Sequence, residues 1–285
     1  MLVEKHLDGY VRDKVAIAMD RLRAFEPPEG YYLAFSGGKD SQCIYHLAVE
    51  AGVKFDAHYN VTGIDPPELV QFIKSNYPEV NRHIPKKSFF KLVESKGFPT
   101  RWKRWCCAEL KEKGGSGRIV VTGVRWAESI KRKNNRGVAE IFENKKEKIL
   151  LNDNDQDRRL FENCQLKGQR IVNPIIDWLE EDVWEYLNSR KIVHCKLYDE
   201  GHTRIGCIGC PLAGPETMKK EFEIWPKYKE NYKRAIARFL PGYLERCKKR
   251  NAKPFRDTAD GWFNWWIGEP TQEDIDYTDS FLDDD

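Results

Sequence analysis

Short apolar runs alternate with helical-period segments through the first two-thirds of the chain. Leu2, Leu7, Val11, Val15, Ala18, Met19 and Leu22 recur at helical spacing, which predicts one amphipathic helix over 2–26, stopped by Pro27, Pro28 and Gly30. Tyr31 to Phe35 reads as a buried strand and Ser36-Gly37-Gly38 breaks it. Asp40 to Ala51 follows as a helix with Cys43, Ile44, Leu47 and Ala48 on its inner face. Strands are then expected over 55–61, 80–84, 118–122 and 171–176, and helices over 66–77, 88–96 and 180–189. Glu140 to Leu151 reads as a small hairpin turning near Asn144-Lys145, the basic run Lys131–Arg136 as a solvated loop, and 152–159 as a polar connection. From about Pro215 to Arg250 the pattern is helical. Strands alternating with helices in this way predict an α/β fold, a Rossmann-like parallel sheet with helices on both faces, plus a C-terminal helical extension. The expected division is an N-terminal helix over 1–29, a nucleotide-binding domain over 30–214, and a basic, aromatic extension over 215–285 that ends in an acidic tail.

Composition narrows the class. The chain has 285 residues, 40% hydrophobic and 33% charged, with a net charge of +3, and a mean hydropathy of −0.69. No apolar run approaches the ~18 residues of a membrane span, and the N-terminal stretch lacks the apolar core of a signal peptide. No membrane partner and a cytoplasmic location are therefore expected. Eight cysteines in such a chain point to metal or redox chemistry rather than disulfides. Four of them, Cys43, Cys164, Cys195 and Cys247, are scattered and read as small buried hydrophobes.

Ser36-Gly37-Gly38-Lys39-Asp40-Ser41 lies between a strand and a helix N-terminus. Glycines let the backbone close around an anion, and the first amides of the next helix point at the same place. Ser36 and Ser41 add hydroxyls and Lys39 a charge. Asp40 either caps the helix or holds a magnesium ion that bridges phosphates. Cys207-x-x-Cys210 is a compact chelating loop that, together with Cys106-Cys107, offers four thiolates. Four thiolates suit zinc or an iron–sulfur cluster. Adjacent cysteines are unusual for zinc, so a 4Fe–4S cluster is expected in preference to it. Arg101, Lys103 and Arg104 either offset the charge of such a cluster or form a solvated face.

The glycine loop resembles that of the PP-loop ATP pyrophosphatases, and further segments narrow the resemblance to their phosphoadenosine phosphosulfate (PAPS) reductase branch. Thr62-Gly63-Ile64-Asp65-Pro66-Pro67-Glu68 is similar to that branch's stretch after the second strand. Trp105-Cys106-Cys107 with Leu110-Lys111 is similar to its paired-cysteine helix, and Gly123-Val124-Arg125-Trp126-Ala127-Glu128-Ser129 to its Gly-hydrophobic-Arg segment. Asn173 to Trp178, Asp182-Val183-Trp184 and Leu197 to Cys207 complete the match over roughly residues 30–215. The thiol arrangement resembles that of cluster-bearing adenylylsulfate reductases and of the iron–sulfur proteins of DNA phosphorothioation.

The resemblance implies an adenine-nucleotide α-hydrolase-like fold and an adenine nucleotide bound at Ser36–Ser41 with Mg²⁺. Lys39, Asp40 and Arg125 would be catalytic, and Thr62, Gly63, Asp65 and Gly123 would join the nucleotide site. Asp65 orients magnesium or the ribose, or else caps a helix before Pro66; Arg125 clamps phosphate; His202 and Arg204 help to shape the site. The complete pyrophosphatase loop favours ATP over PAPS or adenylylsulfate, and no reductase-type cysteine tail follows Cys247.

The implied function is ATP-dependent adenylation coupled to iron–sulfur-mediated sulfur transfer to a nucleic acid or a small molecule. A cysteine desulfurase would be a suitable sulfur donor and a second copy of the chain a candidate partner. The alternatives are a sulfonucleotide reductase or a non-catalytic, cluster-bearing regulatory module. The basic and aromatic residues of the C-terminal third, Lys227, Lys229, Lys233, Arg234 and Arg238 with Trp225, Tyr228 and Tyr232, either contact nucleic acid or pack on the core.

Overall fold

The computed structural model describes residues 1–5, 9, 11–112, 114–142, 148–152 and 170–268. Cys164, the turn at Asn144-Lys145, most of the polar connection and the acidic tail lie outside the described residues. Two compact units account for the rest. One comprises 1–60, 67–83 and 114–205, the other 61–66, 84–113 and the residues from 206 onward. These units interleave along the chain, so their limits differ from a division into three consecutive segments.

The N-terminus departs from the expected single helix. Val3–Lys5 (β1) and Val11–Asp13 (β2) pair antiparallel, and the helix α1 covers only Lys14–Ala24. Asp13 sets that start: its carboxylate accepts the amides of Val15 and Ala16 at 2.9 and 3.0 Å, which satisfies two of the helix's orphan donors. Gly9, at a φ of +81°, adopts a backbone that an L side chain in a helix would not allow.

The first unit is built on a seven-stranded sheet in the order β5-β4-β3-β6-β9-β7-β8. Its strands are β3 (Tyr31–Ala34), β4 (Phe55–Asn60), β5 (Asn81–His83), β6 (Ile119–Val121), β7 (Ala139–Phe142), β8 (Lys148–Leu151) and β9 (Arg170–Val172). The first five in that order run parallel, and β7 and β8 continue the sheet antiparallel. Tyr31 and Leu33 are fully buried, as are Ile44 and Leu47 of α2 (Lys39–Ala51). The helices α3 (Pro67–Asn76) and α7 (Glu180–Ser189) also belong to this unit, and α7 packs on α2. The chain leaves β3 for β4 and β5 on one side, then returns to β6 on the other. The C-terminal ends of β3 and β6 therefore flank a topological switch point, the position where open α/β sheets bind ligands. The basic run expected as a loop contributes a short helix, α6 (Ile130–Asn135), capped by the Ser129 hydroxyl accepting the Arg132 amide.

The second unit is helical among its described residues: α4 (Phe89–Lys96), α5 (Trp105–Leu110), α8 (Pro215–Ile224), α9 (Pro226–Lys249) and α10 (Ala259–Trp266). The helix expected from 215 to 250 is two helices, because Pro226 has no amide with which to continue α8 and instead starts α9. Tyr232 of α9 is fully buried among Phe89, Phe98, Phe222 and Trp266. Within this unit the interior ring of Tyr232 thus takes the packing role left open for it by the sequence. No helix among the described residues is long and apolar enough to cross a membrane.

Candidate functional site

The glycine loop joins the end of β3 to the start of α2. Gly37 has a φ of +73°, and a Cβ there would come within 2.7 Å of the Ile73 side chain, so no larger residue fits without displacing α3. Gly38 is the N-cap and brings no side chain to the first amides of α2. The Lys39 amide donates to the Tyr198 hydroxyl at 2.9 Å. Ser41 folds back on the loop: its hydroxyl donates to the Gly38 carbonyl at 2.8 Å and accepts the Ser36 amide at 3.2 Å, while the Ser36 hydroxyl stands 3.2 Å away.

Two buried cations converge here. Lys39 Nζ donates to the Thr203 carbonyl at 3.0 Å and stands 3.1 Å from Glu180 Oε1 and 3.7 Å from Asp40 Oδ2. Arg125, beyond β6, places Nε 2.6 Å from Asp40 Oδ1 and Nη2 2.8 Å from Glu180 Oε2. Both side chains are less than 5% exposed. Gly123 permits the approach, since a Cβ there would lie 2.9 Å from the Asp40 backbone. Burial opposes the ionised carboxyl of Glu180, but its bonds to Lys39 and Arg125 win and hold it below the usual glutamate range. Nearby, burial together with the Arg204 and Arg136 charges pushes Arg132 down to about 10, and Arg132 pairs with Glu128. The loop therefore sits in a cationic corner with few carboxylates to spare. Glu180 and Arg132 carry no motif signal of their own. The only sequence sign of Glu180 is that it follows the Trp178-Leu179 stretch, whereas Tyr198 falls in a matched segment.

The second cluster belongs wholly to the helical unit. Cys106 and Cys107 occupy the first turn of α5, and Cys207 and Cys210 bracket a tight loop. Gly209 makes that loop possible: its φ is +69°, a Cβ would strike Phe222 at 2.6 Å, and its amide donates to Glu221 at 2.7 Å. Burial pushes Glu221 up to about 7. A hydrogen bond from Cys106 lowers the Cys107 thiol well below the ordinary range, with help from the charges of Arg104 and Lys111. The Arg104 guanidinium donates to the Cys107 sulfur at 3.4 Å. Cys106 is pushed up by the same bond, by burial and by the other three thiols. Burial pushes Cys207 up to about 12, against the Lys111 charge. Burial also works against the Lys111 ammonium, yet Cys207 and Asp65 outweigh it and hold it charged.

Thr62, Gly63 and Asp65 lie in this unit, with the thiols. Asp65 Oδ1 accepts from Cys207 Sγ at 3.5 Å and Thr62 Oγ is 3.8 Å from the same sulfur. The Thr62 amide donates to Asp65 at 3.3 Å, closing the turn on Gly63. Lys111, quoted within a motif but given no role by it, is the cation paired with the Cys207 and Asp65 side of the cluster.

Four soft donors on one unit, with Arg104 and Lys111 beside them, suit a thiolate-bound group in donor chemistry and in charge. Among the described residues, however, no three His, Cys, Asp or Glu side chains are gathered as a metal-ion site. Of the scattered cysteines, Cys43 and Cys195 are buried, whereas Cys247 is half-buried.

Residues 30–213 match the phosphoadenosine phosphosulfate reductase domain. The chain belongs to that family. A Methanocaldococcus jannaschii protein of uncharacterized function is 28% identical over 252 residues, covering 81% of this chain and 46% of its own length. The adenosine 5′-phosphosulfate reductase of Oceanobacillus iheyensis is 28% identical over 165 residues, covering 54% of this chain and 57% of the relative. The chain spans about half the length of the curated relatives it matches. Among solved structures, the phosphoadenylyl-sulfate reductase of Candida auris in a phosphate complex aligns at a TM-score of 0.45 with 17% identity, over 67% of this chain and 87% of that one. An FMN adenylyltransferase of Candida glabrata, in complex with FMN and an ATP analogue, aligns at 0.41 with 13% identity, over 68% and 63%. The segment matched to the PAPS reductase domain contains the glycine loop, Arg125 and all four clustered cysteines.

Proposed function

We propose that the protein is an enzyme that binds ATP with Mg²⁺ at Ser36–Ser41, cleaves it between the α- and β-phosphates to adenylate an acceptor, and couples this to sulfur transfer. The observation that carries the reading is the intact Ser-Gly-Gly-Lys-Asp-Ser loop at the end of β3, with two buried cations, its own Lys39 and Arg125, meeting beside it at Asp40 and Glu180. A triphosphate would draw Lys39 and Arg125 away from Glu180, and Asp40 would remain to orient the metal. Once drawn onto the phosphates, Lys39 and Arg125 stabilise, with the loop amides, the charge that develops on the departing pyrophosphate. The guanidinium fork of Arg125 fixes the orientation of the phosphates.

The deciding experiment incubates anaerobically purified protein with ATP and a pool of candidate acceptors. AMP and pyrophosphate in equal amounts are the expected products, and intact ATP or release of ADP overturns the reading.

A 4Fe–4S cluster on Cys106, Cys107, Cys207 and Cys210 belongs to the same proposal. When bound, it would supply the sulfur chemistry, with a cysteine desulfurase as a suitable source of persulfide sulfur and a thiol reductant providing the two electrons that release it as sulfide. Arg104 and Lys111 would neutralise part of its charge, and Gly209 keeps the loop compact enough to present both of its thiols. We expect about four irons per chain, with most of the iron lost in Cys106→Ser and in Cys207→Ser; stoichiometric zinc in an iron-free preparation, after growth with ample iron, would reverse the assignment.

The similarity to adenosine 5′-phosphosulfate reductases keeps a second reading in view, in which the nucleotide is a sulfonucleotide. It requires a thiol outside the cluster. Of the described ones, Cys247 at the end of α9 is the least buried, and Glu245, Arg246, Lys248 and Lys249 surround it in sequence. Native protein and Cys247→Ser are both expected to release no sulfite from adenylylsulfate or PAPS with thioredoxin as reductant. Sulfite from the native chain that vanishes in the variant would establish the reductase instead.

A further inference from the structure

Trp102 is 96% exposed, the most exposed large apolar side chain among the described residues. The same chain buries Trp105, Trp178, Trp225 and Trp266 to below 9%, so its position is not a matter of composition. It stands at the tip of a closed turn. The Thr100 amide donates to the Lys103 carbonyl at 3.3 Å, and the Lys103 amide donates to the Thr100 hydroxyl at 3.0 Å. Each end is fastened beside the thiols of the helical unit. Arg101 Nε donates to the carbonyl of Pro211, the residue after Cys210, at 3.1 Å, and Arg104 donates to Cys107 at 3.4 Å.

The immediate neighbours of Trp102 are cations. Arg101, Lys103 and Arg104 are all exposed, and the chain carries no Asp or Glu from Ser95 to Ala108. A protein-binding hot spot usually sits within a wider apolar patch; here a lone indole is ringed by positive charge. That combination suits an unpaired nucleotide, whose base stacks on the ring while its phosphates meet the guanidinium and ammonium groups. The same unit supplies a longer-range field. In α9 eight Lys and Arg stand against two Glu, an excess that raises the local concentration of a polyanion.

We infer that the Arg101–Arg104 turn is a docking platform for single-stranded nucleic acid, with Trp102 as the stacking surface and the strand led to the cysteine cluster. This deepens the sulfur-transfer reading and rests on it, since it names the acceptor class as nucleic acid rather than a small molecule.

The test titrates the full chain into labelled dT and rU oligomers of about 20 nucleotides, read by fluorescence anisotropy at several salt concentrations. Native protein is expected to bind with a negative log–log salt slope. Trp102→Ala should weaken binding tenfold or more, whereas Trp102→Phe, which keeps a ring, should lose about threefold. Lys103→Ala should lower the slope by about 0.7, the value for one phosphate contact on a single strand. Near-ultraviolet circular dichroism and the melting midpoint verify folding of each variant. Equal binding by native protein and Trp102→Ala overturns the proposal, as does an absence of binding at about 50 mM salt. A Trp102→Ala variant that binds oligomers normally but changes the sedimentation of the free chain also overturns it, and assigns the turn to a protein contact. ATP cleavage by native protein is assayed separately. Cleavage without oligomer binding removes only this inference, and oligomer binding without cleavage removes the adenylation reading while leaving the platform in place.

Discussion

Arg125→Ala is expected to lower the rate of AMP and pyrophosphate formation by about 10²–10³-fold, the usual cost of removing one preorganised donor from a developing anion. The residue qualifies because it is buried, charged and already aimed: its guanidinium bridges Asp40 and Glu180, and burial, the largest influence on it, does not overcome those two carboxylates, so it stays fully protonated. Arg125→Lys should recover little, because a single ammonium cannot reach two oxygens as a fork does. The experiment compares initial rates under saturating ATP, with the melting midpoint of each variant as a control for folding. A rate within threefold of native for a folded Arg125→Ala protein would remove the residue from the catalytic set and, with it, much of the case for a pyrophosphate-leaving step.

The largest effect on stability is expected far from the loop, at Asp182. Lys14 is 3% exposed and Asp182 fully buried, with Lys14 Nζ 2.7 Å from Asp182 Oδ2. The same carboxylate accepts the Leu179 amide at 2.8 Å, ahead of α7. Asp182→Ala leaves Lys14 with Glu4, at 2.7 Å, as its remaining carboxylate and strands the Leu179 amide, so the expected cost is about 1–3 kcal/mol. Chemical denaturation should show the loss, with a melting midpoint lower by about 5 °C at the usual sensitivity for a domain of this size.

The pH dependence has a fixed sign. Burial works against the Asp182 carboxylate, but the bonds from Lys14 and the Leu179 amide outweigh it and hold its pKa below the ordinary aspartate range. The contribution of the pair is therefore complete above about pH 4 and is lost as the pH falls through the depressed value. Native protein should lose stability more steeply than Asp182→Ala on acidification below pH 4; parallel curves would show that the pair does not stabilise the fold.

The hydropathy pattern made the α/β core legible because β3, α2, β4 and α3 each have a clear period and a hydrophobic side that must be covered. Where the period was weak, the reading failed. The strands β1 and β2 are three residues each, exposed at both ends, and seven apolar positions at helical spacing outweighed them; the stop was written in Asp13, a capping residue inside the supposed helix. The break between α8 and α9 was written in Pro226.

At the site, the glycine loop could be read locally because its chemistry is contiguous. The meeting of Arg125 with Asp40, 85 residues apart in sequence, follows from strand order, which periodicity does not report. The resemblance groups Thr62, Gly63 and Asp65 with the nucleotide; the contact of Thr62 and Asp65 with the Cys207 sulfur is an additional one that no motif signals. Glu180 and Lys111 carry no assignment from the sequence because an ion partner has no sequence mark beyond its charge, and charged residues make up a third of this chain.

The interleaving of the two units bears on how the chain can be made and cut. Passing from one end to the other, the polypeptide changes unit after residues 60, 66, 83, 113 and 205. The first thiol pair rides on the crossover that leaves β5 and returns at β6, so it is synthesised about 100 residues before the second pair that completes the set. A ribosome-bound intermediate therefore cannot finish the helical unit until the sheet strands have all emerged, and the fast local contacts within α4 and α5 must wait for α9. A gene truncated after the sheet portion would release two cysteines with no loop to face, and a fragment starting at residue 206 would lack the helix that α9 packs against. The cysteine-bearing unit is thus inherited with the nucleotide unit as one length of chain: neither can be shed, duplicated or swapped by a single recombination breakpoint.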